Sequence, residues 1–268
     1  MTAIVTWNIQ NGRGCDGKFD LPRIARIIRA MGDADVICLQ EISRNEPQFD
    51  NGADQVSSLA TYFSGYDWTW GPTLTRGPRQ YGNMILSRLP VLQSFNHVLP
   101  HPAEAGIKHM QRAAVEVVVQ AGSGPLRVIT THLEYYSAAH RLAQIARLRE
   151  LQAEVEANEA HPAKFVAAPY DFAARPRSLV LCGDLNLAPD DAAYQALFQP
   201  PLVDAWRKVH PGKPDPHTTG LHDRVQWPMG GHCRDYFAVT PDVAARLRSC
   251  EMDAATDASD HQPLRLAF

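Results

Sequence analysis

Residues Leu179–Asn186 read LVLCGDLN: four apolar positions running directly into Gly183, Asp184 and Asn186. A short apolar run bounded by turn-forming residues marks a strand buried in a sheet. The same shape recurs along the chain. Ile4–Asn8 (IVTWN) ends at Asn8, Val36–Glu41 (VICLQE) at Glu41 and Val128–His132 (VITTH) at His132. The last strand-like segment is preceded by Ala258–His261 (ASDH), which supplies Asp260 and His261. Each ending alone has an ordinary explanation, Glu41 as a helix-start acid and Asp184 as a turn-former. Together they place carboxylates, amides and imidazoles at the ends of neighbouring strands.

Between these runs the periodicity switches to that of helices. LPRIARIIRAM (residues 21–31) is amphipathic with Pro22 in its first turn, DQVSSLATYF (54–63) starts on an acid, and residues 138–156 carry leucine and isoleucine at three-and-four spacing. The middle of the chain predicts strands at YGNMILS (81–87), PVLQSFNHVL (90–99), RAAVEVVVQ (112–120) and LRVITTHLE (126–134). RDYFAVT (234–240) and PLRLAF (263–268) complete the set. Strands interleaved with helices predict an α/β sandwich with its active site along one edge, at the strand ends. The Ala/Pro-rich stretch HPAKFVAAPYDFAARPRS (161–178) has candidate site residues on both sides, so it reads as a surface loop inside one domain spanning 1–268.

Composition narrows the class. Of the 268 residues, 45% are hydrophobic and 21% charged, which fits a globular chain with a full core and excludes disorder or coiled coil as the main architecture. A formal net charge of -3 excludes binding to nucleic acid by bulk positive charge, though not by a local basic groove. The five cysteines are widely spaced and form no Cys-x-x-Cys, and Cys38 and Cys182 sit within apolar strands, so free buried thiols are expected. The first residues, MTAIVTWNIQ, lack the charged and apolar regions of a signal peptide, and no stretch is apolar enough to span a bilayer. The expectation is a soluble cytoplasmic protein without membrane insertion. Nothing in the sequence marks an oligomer interface.

Oxygen-rich donors with no thiolate pattern suit a hard divalent cation, Mg²⁺ with Mn²⁺ as the alternative. Asn and His side chains donate hydrogen bonds to phosphate oxygens. Such a set is sufficient for metal-assisted attack of water on a phosphoester.

The segments TWNIQNG, LQEIS, GNMILSRLP, THLE, GDLN, RDYF and SDH follow one another in this order across nearly the whole chain. In that order they resemble the endonuclease/exonuclease/phosphatase superfamily, whose members include deoxyribonuclease I, abasic-site endonucleases, inositol polyphosphate phosphatases and neutral sphingomyelinases. The resemblance implies a four-layer α/β/β/α sandwich of the deoxyribonuclease I type. It implies Glu41 as the principal metal ligand, with Asn8 and Asp260 beside it. It further implies that His132 contacts the scissile phosphate, that Asp184 orients or deprotonates the attacking water, and that Asn186 holds a phosphate oxygen. Asp235 would pair with His261, which acts either as base or as stabiliser of the pentacovalent phosphate. Arg112 lies where relatives carry a phosphate-contacting arginine, a role its guanidinium suits. Asn83 could face the site or satisfy a turn. Where some nucleases have a second acid on the first strand this chain has Gln10, which favours one tightly bound ion.

Substrate choice falls to the loops at residues 11–20, 71–80, 101–109, 165–177 and 211–231. Arg79 and Arg76, in GPTLTRGPRQ (71–80), could follow a phosphate backbone or bind a terminal phosphate. The glycines of NGRGCDGK (11–18) lack P-loop spacing and suggest a mobile loop. His210, His217, His222 and His232 are concentrated without zinc-ligand spacing. Trp68, Trp70, Trp206 and Trp227 could serve the core or stack on a base. The expected function is a magnesium-dependent phosphodiesterase acting on nucleic acid. A phosphomonoesterase or lipid or inositol phosphodiesterase is the alternative, and a catalytically idle phosphate-ligand binder the non-enzymatic one.

Overall fold

A computed structural model describes residues 1–162, 164, 167–168, 170 and 174–268. Much of the loop expected over 161–178, including Phe165, Val166 and Asp171–Ala173, lies outside the described residues. Twelve strands form among the described residues: β1 (Ala3–Asn8), β2 (Val36–Arg44), β3 (Asp67–Arg76), β4 (Arg79–Ser87), β5 (Val91–Val98), β6 (Ala113–Ala121), β7 (Gly124–His132), β8 (Leu179–Asp184), β9 (Val203–Asp204), β10 (Asp235–Val239), β11 (Ser249–Met252) and β12 (Leu264–Ala267). The helices are α1 (Leu21–Ala30), α2 (Gln55–Tyr62), α3 (Ala138–Ala160), α4 (Ala192–Leu197), α5 (Ala205–Val209) and α6 (Pro241–Ala244).

The strands divide into two six-stranded sheets, ordered β11-β12-β1-β2-β4-β3 and β5-β6-β7-β8-β10-β9. Each is antiparallel except for one central parallel pair, β1 with β2 and β7 with β8. Alternation of side chains divides the core into three layers. Ile4, Val36, Cys38, Ile85, Val115, Val117, Val128, Val180 and Phe237 fill the space between the sheets. Trp7, Ile37 and Leu39 on the other face of the first sheet meet Leu21, Ile24, Ala25 and Ile28 of α1. Ile129, Leu179 and Leu181 meet Ile145, Leu148 and Leu151 of α3. Two sheets between two helical layers make the expected four-layer sandwich.

Local signals explain the long helices. Leu21, Ile24, Ala25 and Ile28 are the buried stripe of α1, Asp20 caps it by accepting from the Arg23 amide, and Pro22 stands in its first turn. Ser137 caps α3 in the same way through the His140 amide. One element departs from the expectation: residues 71–76, read as loop, belong to the edge strand β3, which turns back through Gly77 and Pro78 into β4. The short elements β9, β11, α4, α5 and α6 carry too few residues for a periodic signal. The 11–18 segment holds a short 3-10 turn and is tied by an Arg13–Phe19 bridge and by the Cys15 amide donating to Asp257 O. All five cysteines are free. Among the described residues no helix is long and apolar enough to cross a membrane.

Candidate active site

Strand register brings the catalytic candidates into one row. In the second sheet His132 of β7 pairs with Asp184 of β8, and Asp184 pairs with Asp235 of β10. In the first sheet Asn8 of β1 pairs with Gln40, one residue before Glu41. The β2–β4 ladder breaks between Leu39 and Ile42, and Glu41 adopts a positive φ of 57° there. This bulge re-aims the Glu41 side chain toward the second sheet, a local irregularity typical of strands beside active sites. Asn186 also has positive φ, at 51°. Gly183 has φ 134°, and a Cβ on it would lie 2.0 Å from the Thr131 carbonyl oxygen, so only glycine lets β7 and β8 run together into Asp184.

Asn8 joins the two rows. Its Nδ2 donates to Glu41 Oε1 and to Asp184 Oδ2, 3.0 Å each, while its Oδ1 accepts from the Gln10 amide. His132 lies between the same acids, with Nε2 3.3 Å from Asp184 Oδ2 and Nδ1 3.7 Å from Glu41 Oε1. His261 Nδ1 is 2.8 Å from Asp235 Oδ2, and its Nε2 is 3.6 Å from Asp184 Oδ2. The segment carrying His261 is pinned: Trp7 Nε1 donates to His261 O, and Ser259 Oγ donates to Asn8 O. Asp260 Oδ2 accepts from Gln226 Nε2 and Trp227 Nε1. Asn186 Nδ2 donates to Leu133 O, and its amide donates to Asp184 Oδ1.

Burial and crowding divide the protonation states. Burial, then the charges of Asp235 and Glu41, push Asp184 up to about 7 against the pull of His261. Burial and the nearby Asp260 raise Glu41. Burial drives His132 well below the ordinary histidine value, reinforced by Arg112 and His261, so it is neutral. Burial also opposes charge on His261, yet Asp235, Asp184 and Asp260 outweigh it and hold the ring well above that value, as an imidazolium. Two sets of side chains have atoms close enough to hold a metal ion: Glu41, His132 and Asp184, and Asp184, Asp235 and His261. Excess carboxylate in a buried cluster is the arrangement that a divalent cation relieves.

A cleft of about 550 Å³ opens over this row. Its floor includes Glu41, His132, Asp184, Asn186, Asp260 and His261, and Arg112 lines it with Nε 3.4 Å from Glu134 Oε2. Sequence reading missed several of its walls, Tyr81, Glu134, Tyr135 and Tyr136, while Lys108 and Gln226 come from the loops 101–109 and 211–231 expected to choose the substrate. Tyr81 directly precedes GNMILS, and Glu134 closes THLE, so both were within quoted segments without a role. Burial, with Glu41 beside it, pushes the Tyr81 phenol well above its ordinary range, so it stays protonated.

Two of the candidate residues are placed outside the lining of the cleft. Arg79 does not reach the cleft: it pairs with Glu46 at 3.5 Å, beside Arg76 at 2.8 Å. Asn83 does not either, since its buried amide donates to Ala113 O and ties β4 of one sheet to β6 of the other. Both orientations follow from partners in other segments that spacing along one strand cannot reveal. Of the four tryptophans singled out, Trp227 is the one that lines the cleft. His210 and His222 are satisfied by the carbonyls of Cys250 and Ala254.

Comparison with known proteins agrees with this architecture. The family model described as Endonuclease/Exonuclease/phosphatase family matches residues 5–261, and the chain belongs to that family. None of the curated proteins compared matches it in sequence. Among solved structures it is similar to an endonuclease/exonuclease/phosphatase from Beutenbergia cavernae, at 24% identity over 99% of this chain and 70% of that one, TM-score 0.69. It is similar too to the 3′ phosphatase NExo from Neisseria bound to a product DNA hairpin, at 21% identity over 100% and 99% of the two chains, TM-score 0.68. A mannosyl-6-phosphatase of Bacteroides thetaiotaomicron aligns at 14% identity over 100% and 99%, TM-score 0.68. At these identities the likeness shows the fold.

Proposed function

We propose that the protein is a divalent-metal-dependent phosphodiesterase, with Mg²⁺ or Mn²⁺ as the ion and nucleic acid as the substrate class. The observation that carries this reading is the row His132–Asp184–Asp235, facing Glu41 across Asn8, with His261 hydrogen-bonded to Asp235. Glu41 would hold the ion, with Asp260 and Asn8 beside it. Bound there, the ion would neutralise phosphate charge and polarise a phosphoryl oxygen.

The residues divide the remaining work. Asp184, with its pKa near 7, accepts the proton of the attacking water at Oδ2. Asn8 holds that carboxylate by donating from Nδ2 to Oδ2. His261, charged and fixed by Asp235, stabilises the negative charge that builds on phosphorus-bound oxygens, while Asn186 and Arg112 supply further donors. Neutral His132 can donate to a phosphate oxygen without repelling the ion.

The test is hydrolysis of bis-p-nitrophenyl phosphate against p-nitrophenyl phosphate, each with Mg²⁺, Mn²⁺ or EDTA. Diester turnover that requires metal and disappears in Glu41→Ala is the expected result. Structural likeness to a 3′ phosphatase and a mannosyl-6-phosphatase favours monoester cleavage as the second reading. Monoester preference would select it, and turnover in EDTA would overturn the metal assignment.

A further inference from the structure

The cleft has two chemically different parts. Its floor is the acid–imidazole row, whereas the side wall that follows β7 is aromatic and cationic. Tyr135 and Tyr136 come three and four residues after His132, and remain 44% and 52% exposed although they line a concave site. Tyr135 meets Tyr136 edge-on, with ring centroids 5.0 Å apart, and meets Trp227 edge-on at 6.1 Å. Lys108 lies over the Tyr136 ring, 4.8 Å from its centroid, and donates to its hydroxyl at 3.1 Å. Exposed aromatic faces leave water in contact with apolar surface, and a planar ligand ring removes that contact. The Tyr136 backbone is fixed by its amide donating to Glu134 Oε1, and the Trp227 indole by Nε1 donating to Asp260 Oδ2.

Charge narrows the ligand. Apart from the His261 imidazolium in the acid–imidazole row, Arg112 and Lys108 are the cations among the described residues of the cleft, one on the floor and one on the aromatic wall. Two separated cations suit two phosphates, the scissile one and a neighbour, rather than a long backbone tracked by many basic residues. A volume of about 550 Å³ is that of a small-ligand site.

Building on the phosphodiesterase reading, we propose that Tyr135, Tyr136, Trp227 and Lys108 form a nucleoside subsite. The base next to the scissile phosphate stacks on the Tyr136 face that Lys108 leaves open, with Tyr135 and Trp227 continuing the aromatic wall beside it, and Lys108 takes the flanking phosphate. The enzyme therefore reads one or two nucleotides at a phosphodiester and does not follow a duplex groove.

The experiment compares the dinucleotide pTpT with an analogue in which one thymine at a time is replaced by hydrogen on the sugar. Wild-type enzyme is expected to prefer the base-bearing compound about 10-fold in kcat/KM at one of the two positions, since base–aromatic stacking contributes about 1–3 kcal/mol. In Tyr136→Leu that preference falls below about 3-fold, whereas Tyr136→Phe, which keeps the ring, retains it. The change should lie in KM rather than kcat. A preference that is absent in the wild type, or equal in Tyr136→Leu, overturns the subsite. Bis-p-nitrophenyl phosphate is assayed alongside. If it is cleaved and neither dinucleotide is, the subsite falls and the phosphodiesterase reading stands. If only monoesters are cleaved, both fall.

Discussion

Two buried charged clusters lie on the second sheet, and they are built on opposite principles. On its outer face, Glu116 of β6 is surrounded by two guanidiniums and an imidazole. Arg127 of the neighbouring strand reaches Oε1 at 2.9 Å, Arg175 spans both oxygens at 2.8 and 2.7 Å, and His97 lies 3.0 Å from Oε2. Arg127 also donates to Gln152 of α3, so its guanidinium is tied to both layers. These charges hold the Glu116 carboxyl well below the usual range despite complete burial. At the strand ends, by contrast, Asp184 is buried among Glu41, Asp235 and Asp260, and burial with crowding holds it up at about 7. One cluster is electrostatically complete and serves the fold. The other is left short of positive charge, a strain that a functional site keeps for its ligand.

The sharpest way to break this comparison is to remove one acid from each cluster. Asp184→Asn is expected to lose about 10³-fold in metal-dependent turnover, the contribution of a well-placed general base. Stability should move the other way. An unfolded aspartate titrates near about 4, and a folded pKa of about 7 means that folding takes up a proton in between. The penalty is thus absent below about pH 4 and complete above about pH 7, so in EDTA at pH 8 Asp184→Asn melts at or above the wild-type temperature. A variant that is both inactive and clearly less stable there would place Asp184 with the structural cluster.

Glu116→Gln is expected to cost about 3 kcal/mol or more, because it leaves the buried Arg127 guanidinium, and the partly exposed Arg175 beside it, short of their counter-ion. Turnover per folded molecule should be retained. The pH sign is opposite to that of Asp184. Glu116 has a depressed pKa, so its stabilisation is present above the unfolded glutamate value of about 4.3 and is lost as pH falls below it toward the folded value. Urea midpoints at pH 7, 5, 4 and 3 should fall steeply in the wild type and less in Glu116→Gln. Parallel curves would show that the cluster carries no linked proton.

How much of this was legible in the sequence depended on whether a residue's partner was local. Asn8, Glu41, His132 and Asp184 could be read because each terminates an apolar run, and parallel or paired strands bring such ends together by geometry alone. An α/β sandwich followed from alternating strand and helix periods, and its four-layer form from the resemblance of the ordered segments to the family. Strand β3 was hidden by Gly71 and Pro72, which read as a turn. Here the glycine answers to a neighbour: a Cβ at Gly71 would lie 2.0 Å from Val115 Cγ2 of the facing sheet. Close approach of two sheets leaves no periodic trace in either strand. The same holds for Tyr136 and Lys108, which are 28 residues apart and meet only in the folded cleft.

Two arginines provide the smallest and most discriminating contrast, since both were read from sequence as phosphate contacts. Arg112 is almost fully buried, lines the cleft, and is oriented by Glu134, whose oxygens also accept the Met110 and Tyr136 amides. With Nε engaged by Glu134, the other guanidinium nitrogens can meet a phosphate in the cleft with little reorganisation, the condition under which a single donor is worth the most. Arg112→Ala is expected to lose about 10²-fold in kcat/KM, with Arg112→Lys recovering only part because the ammonium is a point charge. Arg79 is 43% exposed and shares Glu46 with Arg76, so its removal leaves that acid still paired. Arg79→Ala should change kcat/KM by less than about 2-fold and stability by less than about 0.5 kcal/mol, as expected for an exposed ion pair. Parallel losses in the two variants on a dinucleotide, with bis-p-nitrophenyl phosphate sparing Arg79→Ala, would extend the substrate path from the floor of the cleft out to the β3–β4 turn.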